Sequence, residues 1–361
     1  MTKVATLERK LALPVIGSCR ACHWFKPCGG YRDTASLFGD TCFERHCCEG
    51  KADCNYLCPS NPRFSQMMNE VQGLRFDRLP PVVQRRVSLP EYVPSILHHS
   101  RRGRPLTVPI AAIPVEQVLQ VKGKHMRAVA TDPASLRAKL CLDADTRIVL
   151  NCVRKDDPIE RLWEYWVQDD VPGQLSGLDI DLVIAPNFSH LQGVVRLESI
   201  GNRMRQLMCV RDMVAAGLNT VPHLSVLDPH DWDFWREWLA RNPKVKRVAF
   251  EFETGYKQVA DGIDAIGRMA AVQRAIDREL HLIVVGGTQY HSEVTAAFRK
   301  HTFIDASPFY NTVMRQRARL AAGQLAWSEN PTEPAELLDD LLENNLGVYG
   351  EWMCRLLSCH Q

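Results

Sequence analysis

Short apolar segments alternate with amphipathic segments along most of the chain. Seven segments of five to nine residues are rich in β-branched or aromatic side chains and predict β-strands; they span 108–112, 147–153, 181–186, 220–226, 245–253, 281–287 and 302–309. Between them, apolar residues recur at helical spacing and predict helices at 135–140, 159–166, 198–217, 230–242, 265–280 and 292–301. We therefore expect a β–α order repeated six or seven times.

This repeated order requires parallel strands, because each strand is followed by a helical crossover. Closure of seven or eight such units gives a TIM-type (β/α) barrel, which is the α/β fold predicted for residues 106–325. An open doubly wound sheet is the alternative, but the sequence lacks the GxGxxG and GxxxxGK[ST] signatures that are usual in such sheets. We expect residues 326–361 to form C-terminal helices packed on the barrel.

The cysteines are concentrated ahead of the predicted strands, in a module spanning residues 1–64. The chain has 13 cysteines, and eight of them lie within forty residues, namely Cys19, Cys22, Cys28, Cys42, Cys47, Cys48, Cys54 and Cys58. The chain has no apolar run long enough to span a membrane, and the run at 11–16 is shorter than a signal-peptide core. We therefore expect a cytoplasmic protein, in which crowded cysteines bind metal more often than they form disulfides.

The spacing within this module indicates a metal site without choosing the metal. Cys19 and Cys22 are separated by two residues, so both thiolates can reach one ion, as in zinc and iron–sulfur sites. The "CNYLCP" segment has the C-x3-C-P ending of bacterial ferredoxin motifs, although the complete motif is absent. Cys19, Cys22, Cys54 and Cys58 have the most metal-like spacing. An iron–sulfur cluster and zinc both remain open, with disulfides as a third alternative.

Polar residues at the ends of the predicted strands are the candidates for chemistry, because active sites of barrels lie at the carboxyl ends of the strands. The candidate catalytic carboxylates are Glu253, Asp305, Asp156 and Glu251, and the candidate substrate-binding residues are Asn187, Ser189, His223, Gly286 and Gly287. Each has a structural alternative: a carboxylate can serve in an ion pair, a histidine can be buried and hydrogen-bonded, and a glycine pair can form a simple turn.

The strand at 245–253 has two carboxylates on one face. Glu251 and Glu253 alternate with Phe250 and Phe252, so both point to the same side of the sheet, which we predict to be the barrel lumen. A carboxylate there is costly unless it is paired, solvated or functional. Glu253 lies nearest the strand end and is the better catalytic candidate, whereas Glu251 fits a structural partner of an arginine or histidine.

The charge pattern places any nucleic-acid contact in a local patch, because the formal net charge is only +2. Residues 85–127 contain eight Lys or Arg against two Glu. Within them, "SRRGRP" supplies Arg101, Arg102 and Arg104, in the basic connecting segment 65–105. These arginines are candidates for contact with a phosphate backbone, and an ordinary solvated surface is the alternative.

Two stretches of the chain resemble known families. Pro186, Asn187, Phe188 and Ser189, with Asn202, Arg205 and the Val221-Pro222 pair, resemble an uncharacterised family of phage- and plasmid-encoded proteins with a P-[DN]-F-S segment. The segments "LIVVGG" and "FIDASPF" look like the end of the barrel in tRNA-guanine transglycosylases and DNA-deazaguanine transglycosylases. The second resemblance implies an aspartate nucleophile and a base-recognising aspartate, for which Asp305 or Asp156 would be the candidates.

The sequence thus favours a metal-containing barrel enzyme that exchanges or modifies a nucleobase or nucleotide in nucleic acid. The alternative is a non-enzymatic, metal-stapled barrel that serves as a subunit or adaptor of a larger DNA-modification or phage-defence complex. Nucleic acid is the expected partner of the enzyme and a protein complex that of the adaptor, and neither hypothesis involves a membrane.

The cysteine module generates a spectroscopic prediction. Protein purified without oxygen should contain stoichiometric iron with a brown thiolate-to-iron absorption band, or stoichiometric zinc with no colour, because thiolates at this spacing hold either metal. Metal analysis combined with an absorption spectrum distinguishes the two. Protein that binds neither metal and reacts with no thiol reagent would instead establish the disulfide alternative.

Overall fold

The computed structural model describes residues 55–58, 61, 63–98, 100–190, 194, 196–253, 256, 258–333 and 336–358. These residues form two compact units. The first contains the described residues up to Arg78 together with Ser189–Arg205 and Val226–Phe234, and the second contains the rest. Of the eight crowded cysteines, Cys58 alone falls in the described part, so the predicted module lies otherwise outside it.

The first unit combines helix α1 (Phe64–Glu70) with the beginnings of two helices that continue into the second unit, α6 (Arg196–Ala215) and α7 (Pro229–Arg241). Leu57, Val71 and Leu74 are among its buried apolar side chains. Gly201 of α6 lies against Leu57, and an added Cβ there would overlap the leucine side chain. Close packing of the chain near residue 57 on α6 therefore depends on this glycine.

A buried charge cluster occupies the interior of the first unit. Asp231, fully buried in the first turn of α7, accepts hydrogen bonds from the guanidinium groups of Arg196 and Arg203. Burial alone would raise the pKa of Asp231, but Arg203, His190 and Arg196 outweigh burial and hold the pKa well below its usual range. Removing either arginine would therefore leave a poorly compensated charge in the interior.

The second unit contains two four-stranded sheets whose strands are all parallel. The first sheet has the order β1-β10-β9-β8 and the second the order β2-β5-β6-β7. The strands are β1 (Tyr92–Pro94), β2 (Ile110–Pro114), β5 (Arg147–Asn151), β6 (Leu182–Ile184), β7 (Thr220–Val221), β8 (Arg247–Glu251), β9 (His281–Val285) and β10 (Lys300–Asp305). The predicted α/β class with parallel strands is confirmed.

Single parallel bridges connect edge strands of the two sheets. Ser95, directly after β1, pairs with Ala112 of β2, and His223, shortly after β7, pairs with Ala249 of β8. Backbone hydrogen bonds accompany both bridges, including one of 2.9 Å from the amide of Ile96 to the carbonyl of Ala112.

The described helices of the second unit mostly follow the strands. They are α2 (Val115–Val118), α3 (Pro133–Lys139), α4 (Asp156–Tyr165), α5 (Val171–Ser176), α8 (Val259–Ala275), α9 (His291–Ala297), α10 (Ser307–Val313) and α11 (Asp339–Ser358), with the later parts of α6 and α7. None of the described helices is long and apolar enough to cross a membrane.

Several elements differ from the sequence-based expectation. The strand predicted at 302–309 ends at Asp305, because the Asp305 carboxylate accepts a hydrogen bond from the amide of Ser307 and so begins α10. Antiparallel hairpins form from β3 (Leu119–Lys122) with β4 (His125–Ala128) and from β11 (Gln316–Ala321) with β12 (Gln324–Glu329). The predicted C-terminal helices correspond, in the described part, to the single helix α11.

Two apolar layers lie on opposite faces of the strands. One layer packs helices α3 to α6 against one face of the sheet formed by β2, β5, β6 and β7, through residues such as Leu136, Ile148, Leu175 and Met213. The other takes a buried residue from each of eight described strands: Val93, Ala112, Val149, Ile184, Val221, Ala249, Ile283 and Ile304. Burial of both faces explains why these segments are nearly continuous apolar runs.

Two glycines in helix α8 generate a matched stability prediction. A Cβ at Gly267 would meet nothing within 4 Å, whereas a Cβ at Gly262 would overlap the buried ring of Tyr290, with Cε1 2.6 Å away. Gly267→Ala should therefore raise the free energy of unfolding by about 0.5–1 kcal/mol through helix propensity. Gly262→Ala should lower it by about 1–3 kcal/mol through overpacking.

Urea denaturation of both variants measures these changes against the unsubstituted protein. Equal stabilisation by the two alanines would contradict the packing of Tyr290 on α8.

Candidate functional site

An ion pair lies just beyond the carboxyl ends of β2 and β5. Glu116 follows β2 in helix α2, and Arg154 follows β5 shortly before α4. Nη2 of Arg154 lies 2.6 Å from Oε1 of Glu116, and both side chains are partly exposed. Since β2 and β5 are neighbouring parallel strands, their ends bring these two oppositely charged groups to the same edge of the sheet.

The next strand helps to position the arginine. Asn187, shortly after β6, accepts a hydrogen bond of 2.7 Å at Oδ1 from the backbone amide of Arg154. Nε of Arg154 and Oε2 of Glu116 are buried, and neither has a hydrogen-bond partner among the described residues. The pair therefore offers one unused donor and one unused acceptor, and unsatisfied buried groups of this kind are costly unless a ligand or water meets them.

Glu253 lies beyond the end of β8, where Gly286 makes room for it. Gly286 and Gly287 have φ values of +68° and +71°, and an added Cβ at Gly286 would lie 2.5 Å from Cγ of Glu253. The amide of Gly286 donates to the carbonyl of Ile304, so it serves the sheet. The glycine pair predicted to bind substrate thus has an evident role in the turn and in admitting Glu253.

The surroundings of Glu253 make its carboxyl group easier to protonate. Although Glu253 is an exposed residue, desolvation by the nearby protein raises its pKa; Arg154 opposes this shift and Asp305 adds to it. The positive charge of Arg154 is thus electrostatically coupled to both Glu116 and Glu253, which makes this arginine the centre of the arrangement. A carboxyl group whose pKa is raised keeps its proton to a higher pH than an ordinary glutamate, which favours a role in proton transfer.

Asp305 is held by an extensive set of hydrogen bonds. Its carboxylate accepts from the hydroxyl of Thr288, from the hydroxyl of Tyr349 at 3.0 Å and from the amide of Ser307 at 2.6 Å. The residue is buried between β10, α10 and α11. These bonds give Asp305 a structural role in joining three elements, which was the alternative to catalysis at this position.

His223 belongs to a buried polar layer that supports the strand ends. Its Nδ1 lies 3.0 Å from the Ser225 hydroxyl, and its ring stacks on Phe250. The side-chain amide of Gln206 donates to the carbonyls of Pro186 and His223. Helix α6 therefore holds the segments that follow β6 and β7 in place.

The remaining candidate residues are Asp156, Glu251 and Ser189. Asp156 is exposed in the first turn of α4, and Glu251 is half-buried at the end of β8. Ser189 belongs to the first unit, where its carbonyl accepts a hydrogen bond of 2.8 Å from Asn202, whose own side-chain oxygen accepts from Arg205. The P-N-F-S segment and the N-x-x-R helix are thus joined at Ser189.

Two arginines of the predicted nucleic-acid-binding segment form hydrogen bonds or ion pairs with other residues of the chain. Arg102 donates to the carbonyl of Cys141, and Arg104 pairs with Asp340 at 2.7 Å and Glu343 at 2.8 Å on helix α11. The carbonyl of Arg101 accepts from the amide of Leu338, while its side chain is exposed. The acidic start of α11 thus pairs with the charge of Arg104, one of the three arginines expected to face a phosphate backbone.

Sequence analysis missed the Glu116–Arg154 pair. Each residue is charged and follows directly on an apolar strand, which is the signal that selected Asp156 and Glu253. Their pairing could be expected only once β2 and β5 were known to be neighbours.

No group of three or more His, Cys, Asp or Glu side chains in the described part is arranged to hold a metal ion. Cys58 is a buried free thiol there. The iron–sulfur or zinc site predicted in residues 1–64 involves cysteines outside the described residues and stays a prediction.

The fold and the site together define a mixed α/β protein with parallel sheets and a charged cluster at the strand ends. No protein-family model matches the chain, and no curated protein matches it significantly. Any assignment of function therefore has to come from the chemistry of the chain itself.

The electrostatic coupling at this site generates a titration prediction. The Glu253 carboxyl should titrate above the usual glutamate pKa of about 4.3, and Arg154→Met should raise its pKa further by removing the opposing charge. Carbon-13 NMR of the side-chain carboxyl groups measures both. Arg268→Met, which removes an exposed arginine paired with Asp264, should leave the Glu253 titration unchanged.

The same shift has a consequence for stability. Because the folded-state pKa of Glu253 lies above the unfolded value, the protein should lose stability relative to Glu253→Gln as the pH rises from the unfolded pKa through the folded pKa. If Glu253 titrated at the ordinary glutamate pKa and this pKa did not change in the Arg154→Met variant, the proximity of the two groups would be contradicted.

Proposed function

We propose that the two parallel sheets form one closed (β/α) barrel. Two observations support closure: the bridges Ser95–Ala112 and His223–Ala249 connect edge strands of the two sheets, and a single apolar cluster receives side chains from all eight of these strands. In a closed barrel such a cluster is the packed lumen. The Glu116–Arg154 pair and Glu253 would then surround one mouth of the barrel.

We further propose that this mouth is the active centre of an enzyme that exchanges or modifies a nucleobase in nucleic acid. The observation that carries the proposal is the carboxyl group of Glu253, whose pKa is raised by desolvation in a shift that Arg154 opposes, together with the Nε of Arg154, which has no partner among the described residues. During base exchange the glycosidic bond breaks and its electron pair stays on the base. Glu253 donates a proton to the departing base, while Arg154 stabilises negative charge on it.

A ring nitrogen of the incoming base then forms a bond to the sugar carbon and loses its proton to the carboxylate of Glu253. This restores the protonated carboxyl group and completes the cycle. Asn187 acts as a positioning residue, because its hydrogen bond to the amide of Arg154 holds the loop that carries the guanidinium group. The metal predicted in the cysteine module takes no part in these steps.

The β3–β4 hairpin offers the better contact for a phosphate backbone. Lys122 and Lys124 are exposed beside the turn at Gly123, and the hairpin follows directly on the helix that carries Glu116. Unlike Arg104, neither lysine forms a salt bridge in the described part of the chain. Together with Arg101 they supply the positive charge that nucleic-acid binding requires.

Exchange of a labelled base tests the proposed reaction. The protein should incorporate tritiated guanine into RNA or duplex DNA, and Glu253→Gln should reduce the rate by roughly 100-fold or more while the fold is retained, because proton transfer contributes about 10²–10⁴-fold. Glu351→Gln is the matched control, since Glu351 is an exposed glutamate paired with Arg355 on α11. Incorporation that is indifferent to Glu253→Gln would refute the assignment of Glu253.

A non-enzymatic adaptor is the second candidate function, and one observation favours it. Tyr310, Val313 and Met314, at helical spacing along and just after α10, are exposed apolar side chains, with Met314 71% exposed. Such groups commonly mark protein-interaction surfaces. In that case no base exchange occurs with any nucleic acid, and substitutions at Glu253 leave the biological role intact.

A further inference from the structure

A cavity of about 250 Å³ lies beside the β3–β4 hairpin, between helix α2 and helix α4. Its walls include four buried apolar side chains: Val115, Leu119, Met126 and Leu162. At about 30 Å³ for each water-sized group, it has room for roughly eight such groups, the size of a single substituted ring. An apolar cavity with a small number of polar groups is the usual form of a small-molecule site.

Glu116 supplies a polar group of this cavity. Its Oε1 is bound to Arg154, while its Oε2 is buried and accepts no hydrogen bond from the described residues. At the rim, Gln120 is exposed, and Asp157 and Arg161 form an exposed ion pair with a separation of 3.3 Å. The cavity thus combines one buried acceptor with a polar rim that can donate hydrogen bonds.

The balance of charge selects the kind of ligand. The negative charges of Glu116 and Asp157 are already matched by Arg154 and Arg161. A cation would compete with Arg154 for Glu116, and an anion would meet the unsatisfied oxygen of Glu116 without a donor. A neutral ligand with an N–H group can donate to the carboxylate of Glu116 and leaves both ion pairs in place.

We propose that this cavity binds a neutral cyclic amide or imide, which donates its N–H to the carboxylate of Glu116 and packs its apolar edge on the aliphatic wall. A carbonyl oxygen of the ring then faces the donors of Gln120 and Arg161 at the rim. Thymine has all of these groups on one ring and is a suitable probe. This binding site goes beyond the reaction proposed above, because it requires neither Glu253 nor turnover.

Titration with thymine, followed by amide NMR and calorimetry, tests the proposal. Thymine should bind and shift the resonances of residues 115–126 and 157–162, whereas 1,3-dimethylthymine, which has no N–H group, should bind at least about tenfold more weakly, the equivalent of one hydrogen bond to a charged group. Equal binding of the two compounds, or no shifts in these residues with thymine, would overturn the proposal.

Two variants locate the site. Val121→Trp should abolish thymine binding by filling the cavity from its rim, where Val121 is 40% exposed and a larger side chain need not disturb the core. Glu116→Gln should weaken it at least tenfold, because one of the two carboxylate acceptors is replaced by an amide group. Since the compound pair is compared on the unsubstituted protein, the result does not depend on either variant folding.

The binding measurement separates this proposal from the one before it. Thymine binding without base exchange would support the binding site in the cavity and refute the proposed reaction. Base exchange without thymine binding would support the reaction and refute the binding site.

Discussion

Burial of both faces of the parallel strands is the constraint on which the rest of the second unit depends. Helices cover one face of the sheet formed by β2, β5, β6 and β7. The other face is covered by an apolar cluster to which eight described strands contribute buried side chains. A charged side chain in the middle of such a strand would lose its hydration without compensation. Charges are therefore confined to strand ends, where Glu116, Arg154 and Glu253 are found.

Carboxylates in this protein differ in role because their surroundings supply different numbers of donors. Asp305 accepts from two hydroxyl groups and an amide, so its hydrogen-bonding capacity is used in joining β10, α10 and α11. Asp231 is held by two guanidinium groups in the first unit. Among the described residues no hydroxyl, amide or guanidinium hydrogen bond to the Glu253 carboxylate is found, and its pKa is set by desolvation, which raises it, and by the charge of Arg154, which opposes the shift. Its raised pKa is the reason to propose that Glu253 transfers protons.

The sequence-based prediction was correct for strands that the local residue pattern decides. It was incomplete for elements that depend on pairing between segments distant in the chain. All seven predicted strands occur, because apolar runs bounded by turn residues are a local property. β1 was missed, since Tyr92–Pro94 is short and gains its stability from pairing with β10. The β3–β4 hairpin was missed because its strands are largely polar. Arg104 was predicted to face nucleic acid because its partners on α11 are more than 230 residues away in the chain and give no local signal. The partner of Arg102, the carbonyl of Cys141, is 39 residues away.

The sequence by itself determined the α/β class and the positions of seven of the eight described parallel strands, because hydrophobic periodicity and turn residues act over a few positions. Only the tertiary structure decided which strand ends are neighbours. That adjacency paired Glu116 with Arg154 and placed Arg154 within electrostatic reach of Glu253. Packing of α11 brought the hydroxyl of Tyr349 to Asp305. Coulombic and hydrogen-bonding interactions depend on distances in space, and those distances follow from the register of parallel strands that are remote in the chain.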